Sequence, residues 1–276
     1  MNSPLEQPLT EQPKHSVPPL LEVQGISVRF AGVMALADIS FHVQPGELFA
    51  VIGPNGAGKT SLFNVLSRVY QPVAGSVTFA GQNLLRLRTY QTARAGIARS
   101  FQNLGQFPNT TVLDYLLLGR HTRMRSGILL GGLYLGITYN EERKNRAYCM
   151  KLLSLLGLER YCDARLGSLP YGLQKRADLA RALALEPKLL LLDEPVAGMG
   201  IEETEDIASA ILDVKEQLGI TQILVEHDMA LVMGIADRVL VLDFGRVIAQ
   251  GRPAEVQANP NVIKAYLGED FGVQVI

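Results

Sequence analysis

Two runs near the start of the chain alternate apolar and polar residues between Leu21 and Val43. A period of two is typical of strands that bury one face and leave the other in water. The pattern therefore predicts a small antiparallel β layer at the start of the fold. The apolar positions that define it are Ile26, Val28 and Phe30, followed by Ile39, Phe41 and Val43.

Later apolar runs are continuous, which is typical of strands buried on both faces in a parallel sheet. Leu48–Ile52 ends in glycine and predicts a strand that enters a turn, with a helix after Gly58. Leu189–Leu192 and Ile223–Val225 are separated by Glu202–Leu218, which has helical spacing. A strand, a helix and a strand in this order predict a β-α-β crossover. The fold class is therefore α/β.

The middle of the chain, roughly residues 96–183, has a different pattern. Glu141–Leu158 has helical spacing with one charged face, and no strand-like apolar run interrupts the segment. We expect this part to form a helical subdomain inserted into the α/β core.

A hairpin is predicted near the end, where Val239–Leu242 and Arg246–Ala249 flank the tripeptide Asp243-Phe244-Gly245. The same tripeptide binds magnesium in protein kinases. Because no His-Arg-Asp loop precedes it here, the interpretation as a turn is favoured.

Size and composition limit the possible classes of protein. The 276 residues fit one domain, or one domain with a subdomain. A net charge of -1 gives no basic footprint, so no nucleic-acid partner is expected. Cys149 and Cys162 are too few for a disulfide scaffold or a four-ligand metal site, which favours ordinary thiols in a reducing compartment.

The first 19 residues hold five prolines among polar residues, which predicts a disordered leader before a domain at 20–276. The longest uncharged apolar stretch is Gly127–Thr138. It is about half as long as the roughly 20 residues that a membrane-crossing helix needs. If the protein serves a membrane, it must therefore dock on chains that cross it.

A phosphate-binding pattern follows the strand at 48–52. Glycines let backbone N–H groups surround phosphate oxygens, and the next helix presents its positive N-terminal end. Lys59 is expected to reach the β- and γ-phosphates, and Thr60 to ligate Mg²⁺. The predicted nucleotide-binding residues are Gly53, Pro54, Asn55, Gly56, Ala57, Gly58, Lys59, Thr60 and Ser61.

Two adjacent carboxylates, Asp193 and Glu194, end the apolar run at 189–192. Ligands of open α/β sheets bind at this edge, and such a pair suits Mg²⁺ and a water molecule. Asp193 is predicted to hold the ion and Glu194 to act as general base. Taken alone, the pair is equally typical of a solvated strand end, but the phosphate-binding pattern favours the functional interpretation.

His227 stands after the next strand, at the same predicted edge. A lone histidine there is more often structural. Beside a phosphate loop and a carboxylate pair, it is placed to contact the γ-phosphate.

The order of these motifs resembles the ATPases of ABC transporters along nearly the whole chain after Leu21. Between the phosphate loop and Asp193 stand Arg99-Ser100-Phe101-Gln102 and the segment from Leu169 to Arg176. The resemblance implies that Gln102 is a catalytic residue and a magnesium ligand, and that Phe30 stacks on adenine. A core strand aromatic is the less favoured interpretation of Phe30. The implied signature, which completes a partner's site, comprises Leu169, Pro170, Tyr171, Gly172, Leu173 and Gln174.

Within that family the chain looks most like the LivG-type ATPases of branched-chain amino acid importers. The residues 98–103, Tyr171 and the tail at 259–269 carry this resemblance. Lipopolysaccharide exporter ATPases share part of the tail and remain an alternative. The resemblance implies ATP and Mg²⁺ as cofactors and a peripheral location at the cytoplasmic face of the inner membrane. It also implies two permeases, an extracytoplasmic solute-binding protein, and a second ATPase, either LivF-like or a copy of this chain.

The sequence departs from the family motifs at two places, and these departures bear on hypotheses other than an active transporter ATPase. The usual Leu-Ser-Gly-Gly-Gln signature is Leu-Pro-Tyr-Gly-Leu here, so Pro170 lacks both the serine hydroxyl and a backbone N–H. Gly200 stands where an aspartate is common. Both changes favour a degenerate, regulatory subunit, whereas intact Lys59, Asp193 and Glu194 argue against one. A non-transport factor of translation or DNA repair is another hypothesis, but translation factors of this kind usually carry two ATPase halves and basic extensions, and neither is seen in this sequence.

Overall fold

The computed structural model describes residues 17–100, 107–121 and 136–270. Two predicted features lie wholly or mostly outside the described residues, namely the leader and Gln102. The described part folds as two sheets with helices between and around them.

The first sheet is antiparallel, with strand order β2-β1-β4-β5. Its strands are β1 (Leu21–Phe30), β2 (Val33–Val43), β4 (Ala74–Phe79) and β5 (Gln82–Asn83). Side chains on β1 alternate between buried and accessible positions along most of the strand, as the period of two predicts. The predicted β layer is therefore confirmed, and β4 and β5 extend it.

The second sheet has the order β10-β9-β3-β8-β7-β6. Its strands are β3 (Leu48–Ile52), β6 (Ile97–Arg99), β7 (Leu189–Asp193), β8 (Thr221–Val225), β9 (Arg238–Asp243) and β10 (Arg246–Gly251). All five residues of each of β3, β7 and β8 are buried, and these strands run parallel. The α/β fold class and the β-α-β crossover are confirmed.

The hairpin of β9 and β10 is also confirmed. Asp243 pairs with Arg246, so the turn consists of Phe244 and Gly245, with φ angles of 41° and 74°. Two consecutive positive φ values are typical of the tight turn that joins antiparallel strands.

One prediction is wrong within residues 96–183. Ile97–Arg99 forms β6, which pairs with β7 in the second sheet. Three residues are too short to show a strand period in the sequence, and only the neighbouring strand β7 determines their conformation. The division of the chain into a core and a helical subdomain stays a prediction.

The helices follow the strands in sequence and cover the second sheet. They are α1 (Lys59–Leu66), α2 (Thr89–Ala95), α3 (Val112–Arg120), α4 (Gly136–Leu155), α5 (Tyr171–Leu183), α6 (Ile201–Leu218), α7 (Met229–Ile235), α8 (Pro253–Gln257) and α9 (Pro260–Asp270). Single 3₁₀ turns lie at Leu84–Arg86, Glu159–Tyr161 and Leu166–Ser168.

Two apolar cores hold these layers together. One lies between the two sheets and includes α1, with Leu62, Phe63 and Leu66 fully buried. The other lies on the opposite face of the second sheet and includes buried residues of α3 to α7. Since α1 is packed between the sheets, the loop that precedes it has a fixed position at the carboxyl end of β3.

Among the described residues, no helix combines the length and the apolarity that crossing a membrane requires. Most of the apolar stretch Gly127–Thr138 lies outside the described residues.

Candidate functional site: a phosphate loop beside two carboxylates

The loop between β3 and α1 needs glycine at two positions. Gly53 has φ 152°, and a Cβ atom there would lie 2.1 Å from the carbonyl oxygen of Leu242. Gly58 has φ 104°, and its Cβ would lie 2.8 Å from the carbonyl oxygen of Ala35. Any side chain at either position would therefore displace the backbone. These two contacts hold the loop in the narrow turn that the phosphate-binding pattern requires.

Lys59 is the first residue of α1 and is buried at the base of the loop. Its ammonium group donates to the carbonyl oxygens of Gly53, at 2.5 Å, and Pro54, at 2.9 Å. The lysine thus lies inside the curve of the loop. Its charge is available to an anion that the loop N–H groups surround.

A cavity of about 420 Å³ opens beside this loop. Predicted nucleotide-binding residues form one wall, with Thr60 and Ser61 on the first turn of α1. Glu194 lies on the same cavity, which brings the end of β7 next to the loop. The lining residues are Val33, Met34, Ala35, Asn55, Gly56, Ala57, Gly58, Lys59, Thr60, Ser61, Glu194, Phe244 and Gly245. Parallel strands explain this proximity, because their carboxyl ends meet at one edge.

Asp193 is almost fully buried and has one paired and one unpaired oxygen. Its Oδ2 accepts from Nη2 of Arg99 at 2.5 Å. The same guanidinium donates through Nη1 to Asn64 at 2.9 Å and Ser67 at 3.1 Å, both on or next to α1. Arg99 therefore holds the carboxylate of Asp193 against the helix that follows the phosphate loop.

Oδ1 of Asp193 has no hydrogen-bond partner among the described residues, although it is buried. A buried carboxylate oxygen without a partner is unfavourable, and a hard cation or its bound water would satisfy it. Oxygen ligands are also what Mg²⁺ prefers. The residues here therefore fit the magnesium ion that the sequence predicts.

Glu194 has an unusual backbone conformation, with φ 46°. This left-handed region is costly for a residue with a side chain, and it persists where surrounding contacts impose it. The N–H of Glu194 donates to the carbonyl oxygen of Val225 at 2.9 Å, and its own carbonyl accepts from Ala197 at 3.3 Å. The half-buried side chain lines the cavity.

His227 follows β8, one strand away from Glu194. Its side chain is 61% exposed. It does not line the cavity, so the structure brings Lys59, Thr60 and Glu194 together there but not His227.

Phe30 also lies outside the lining of the cavity. Its ring makes an edge-to-face contact with Tyr70, with centroids 4.8 Å apart, and the residue is 42% exposed. Val33 and Met34, just beyond it in the hairpin of β1 and β2, do line the cavity. The role of Phe30 in holding adenine stays a prediction.

Phe244 is a cavity residue that the sequence did not identify. The turn that carries it is bonded to the phosphate loop, because Gly245 N–H donates to the carbonyl of Ala57 at 3.0 Å. Phe244 is 87% exposed although it is apolar. The tripeptide Asp243-Phe244-Gly245 does form the predicted turn. An apolar aromatic residue in a predicted turn is the sequence signal that could have identified Phe244 as a binding residue.

Replacing Phe30 with alanine is expected to weaken ATP binding by about 1–3 kcal/mol, the usual value of stacking a base on an aromatic ring. Inorganic triphosphate lacks a base and should bind the variant and the wild type equally. Isothermal titration calorimetry measures both affinities. The matched control is Phe244→Ala, which removes the other aromatic ring near the loop. If only the control weakens ATP binding, Phe244 and not Phe30 holds the base.

The signature segment begins α5. Pro170 is the N-cap residue of that helix, and no side chain caps it. Gln174 donates through Nε2 to the carbonyl of Leu169 at 2.8 Å, so the last residue of the segment folds back on the first. Tyr171 is 42% exposed. The segment therefore presents the N-terminal end of a 13-residue helix, the end that carries a partial positive charge.

Comparison with known proteins gives two matching family models. The ABC transporter model matches residues 36–197. A second model, described as branched-chain amino acid ATP-binding cassette transporter, matches residues 246–272. The first match extends from β2 to the residues after Glu194, and the second covers β10 and the C-terminal helices.

Individual proteins give the same result. The chain is 37% identical to the high-affinity branched-chain amino acid transport ATP-binding protein BraF of Pseudomonas aeruginosa, over 91% of this chain and 98% of that protein. It is 38% identical to the corresponding protein LivG of Salmonella typhimurium, with the same coverage. The crystal structure of the ADP conformation of MJ1267, an ATP-binding cassette of an ABC transporter, superposes with a TM-score of 0.80 at 29% identity. That superposition covers 91% of this chain and all of that one.

Proposed function

This chain belongs to the family of ABC transporter ATP-binding proteins, and we propose that it hydrolyses ATP to power an importer of branched-chain or related amino acids. Its nucleotide is ATP, as in that family. The similarity to BraF and LivG supports the importer, because both carry branched-chain amino acid transport in their names. The match at residues 246–272 favours the same class over a lipopolysaccharide exporter.

The observation that carries this proposal is the cavity shared by the phosphate loop and Glu194. Phosphate groups held by the loop would lie next to a carboxylate that can accept a proton from water. Neither group alone indicates hydrolysis, since loops of this kind also occur in proteins that only bind nucleotide. Their meeting at one cavity supports it.

Each residue then has a proposed role. The N–H groups of residues 55–60 surround the β-phosphate, and Lys59 exchanges its contacts with loop carbonyls for contacts with phosphate oxygens. Glu194 orients a water molecule and accepts its proton. Thr60, Asp193 and Gln102 are the proposed ligands of Mg²⁺, which supplies positive charge beside the phosphates when bound. His227 contacts the γ-phosphate.

Proposed partners follow the family pattern. They are two membrane-spanning permeases, an extracytoplasmic solute-binding protein, and a second ATPase that is LivF-like or a copy of this chain. The signature at 169–174 would complete the nucleotide site of that second ATPase. We therefore propose that the chain works peripherally, at the cytoplasmic face of the inner membrane.

The solute is tested on the proposed solute-binding partner, because the proposed role of the ATPase requires no contact with the solute. Calorimetric titration with leucine, isoleucine and valine is expected to give saturable binding. Short amides and urea are the competing solutes to titrate in parallel. Binding of a sugar, with no response to any amino acid or amide, would contradict the proposed importer class.

A further inference from the structure

Glu226 is a buried carboxylate that the mechanism above does not use. It follows β8 and immediately precedes His227, and its side chain is fully buried. A buried carboxylate is unfavourable unless hydrogen bonds or opposite charges compensate for its lost hydration. The groups that donate hydrogen bonds to Glu226 therefore indicate what its carboxylate does in the fold.

The partners of Glu226 are backbone N–H groups from two different loops. Oε1 accepts from the N–H of Val196 at 3.1 Å, two residues after Glu194. Oε2 accepts from the N–H of His227 at 3.1 Å. One side chain thus bonds the loop after Glu194 to the loop that carries His227.

The chemistry of these partners matches a carboxylate and no neutral side chain of the same shape. Each of the two carboxylate oxygens, which only accept, meets one N–H donor. Burial raises the pKa of the Glu226 carboxyl, and the N–H donors act in the opposite direction because they stabilise the ionised form. Nδ1 of His227 lies 3.7 Å from Oε2, so the charge also faces the histidine ring.

This carboxylate also bears on the strained backbone of Glu194. The N–H of Glu194 is bonded to Val225 on β8, and two residues later the N–H of Val196 is bonded to Glu226. The segment is therefore fixed on both sides of the Glu194 Cα atom, to β8 on one side and to Glu226, which follows β8, on the other. Contacts on both sides are what a non-glycine residue at φ 46° requires.

We propose that Glu226 is a positioning residue for hydrolysis, which fixes the loop of Glu194 and the loop of His227 relative to each other. This inference rests on the proposed function for its catalytic consequence. It does not rest on that function for the local order of the two loops, which can be measured without nucleotide.

Glu226→Gln is the most informative variant, because it keeps the size of the side chain. The amide has one acceptor oxygen, and its NH₂ group would face the N–H donors of one loop. One of the two anchors is therefore lost in either orientation of the amide.

Two measurements test the consequence, namely hydrogen exchange on the full chain and ATP hydrolysis by the assembled complex. Amide hydrogen exchange in residues 194–198 or 226–229 is expected to accelerate by about tenfold or more without nucleotide. In ATP hydrolysis kcat is expected to fall by about tenfold or more, with KM within about threefold of wild type, because misplaced groups weaken the chemical step more than binding.

Gln222→Leu is the matched control. Gln222 lies on β8, the strand that Glu226 follows, is equally buried, and donates to the carbonyl of Ile211 on α6 at 2.9 Å. It lies four residues before Glu226, away from both loops. The control is expected to leave kcat and the exchange of both segments unchanged, even if it lowers the melting temperature.

Wild-type kcat in Glu226→Gln would overturn the proposal, and so would a lower kcat without faster exchange in either segment. Equal effects in Gln222→Leu would also overturn it, since the loss would then be general.

If the glutamine variant does not fold, Glu226→Asp replaces it. Aspartate keeps both oxygens but withdraws them by one methylene, so the same two changes are expected and their absence is decisive. Absence of hydrolysis in the assembled wild-type complex contradicts the proposed function, while exchange still decides the anchor.

Discussion

Glu194→Gln is expected to lower ATP hydrolysis by about 100-fold or more while ATP affinity stays nearly unchanged. The amide keeps the shape of the side chain on the cavity but cannot accept a proton from water, and general base catalysis is typically worth 10²–10⁴-fold. Phosphate release from the assembled complex measures turnover, and calorimetry on the purified chain measures affinity.

Glu186→Gln is a matched control for that substitution. Glu186 has a similar positive φ of 50°, stands in a loop before β7, and pairs with Arg120 away from the cavity. The control should hydrolyse ATP at the wild-type rate. Unchanged hydrolysis in Glu194→Gln would remove Glu194 from the role of base.

The same substitution distinguishes the two ATPase sites if the second ATPase is a different chain. Pro170 offers neither hydroxyl nor N–H to the partner's nucleotide, and losing a hydrogen bond to the γ-phosphate should cost about 1–3 kcal/mol there. The site on this chain has its own loop and carboxylates. Glu194→Gln here should therefore suppress turnover much more than the equivalent change in the partner. Equal suppression, or the reverse order, would contradict this asymmetry.

Lys59→Ala is expected to reduce ATP affinity by about 3 kcal/mol or more, roughly 150-fold, because it removes a cation beside two phosphates. The loss should appear in calorimetry with ATP and with inorganic triphosphate alike, since the lysine contacts phosphate and not the base. This equal loss separates Lys59 from Phe30, whose substitution should affect ATP alone.

Lys215→Ala is the control for the lost charge. Lys215 lies on α6 and pairs with Asp237 at 2.6 Å, away from the cavity. Its substitution should leave nucleotide affinity at the wild-type value. Equal ATP binding by Lys59→Ala and wild type would refute the role of Lys59.

The strands that the sequence predicts well are those with a clear internal pattern. Five consecutive apolar residues identify β3, and the alternation with a period of two identifies β1. The missed strand β6 has only three residues, and its conformation is imposed by pairing with β7. Local pattern carries no information about such a contact between distant segments.

The residues of the candidate site also differ in how well the sequence predicts them. The phosphate loop and the pair Asp193 and Glu194 are recognisable from sequence because their spacing is part of their chemistry. The bond of Arg99 to Asp193 joins residues 94 positions apart, and Glu226 bonds to a loop 30 positions earlier. Phe244 reaches the cavity because β9 lies next to β3. These contacts depend on strand order, which the sequence does not specify directly.

The most direct test of the central proposal is ATP-driven uptake of labelled leucine. The chain would be assembled with the proposed permeases and second ATPase in vesicles that contain ATP, with the proposed binding protein and leucine outside. The account predicts uptake that requires ATP and the wild-type chain and that is lost with Glu194→Gln. Uptake that proceeds equally with Glu194→Gln, or without ATP, would contradict it.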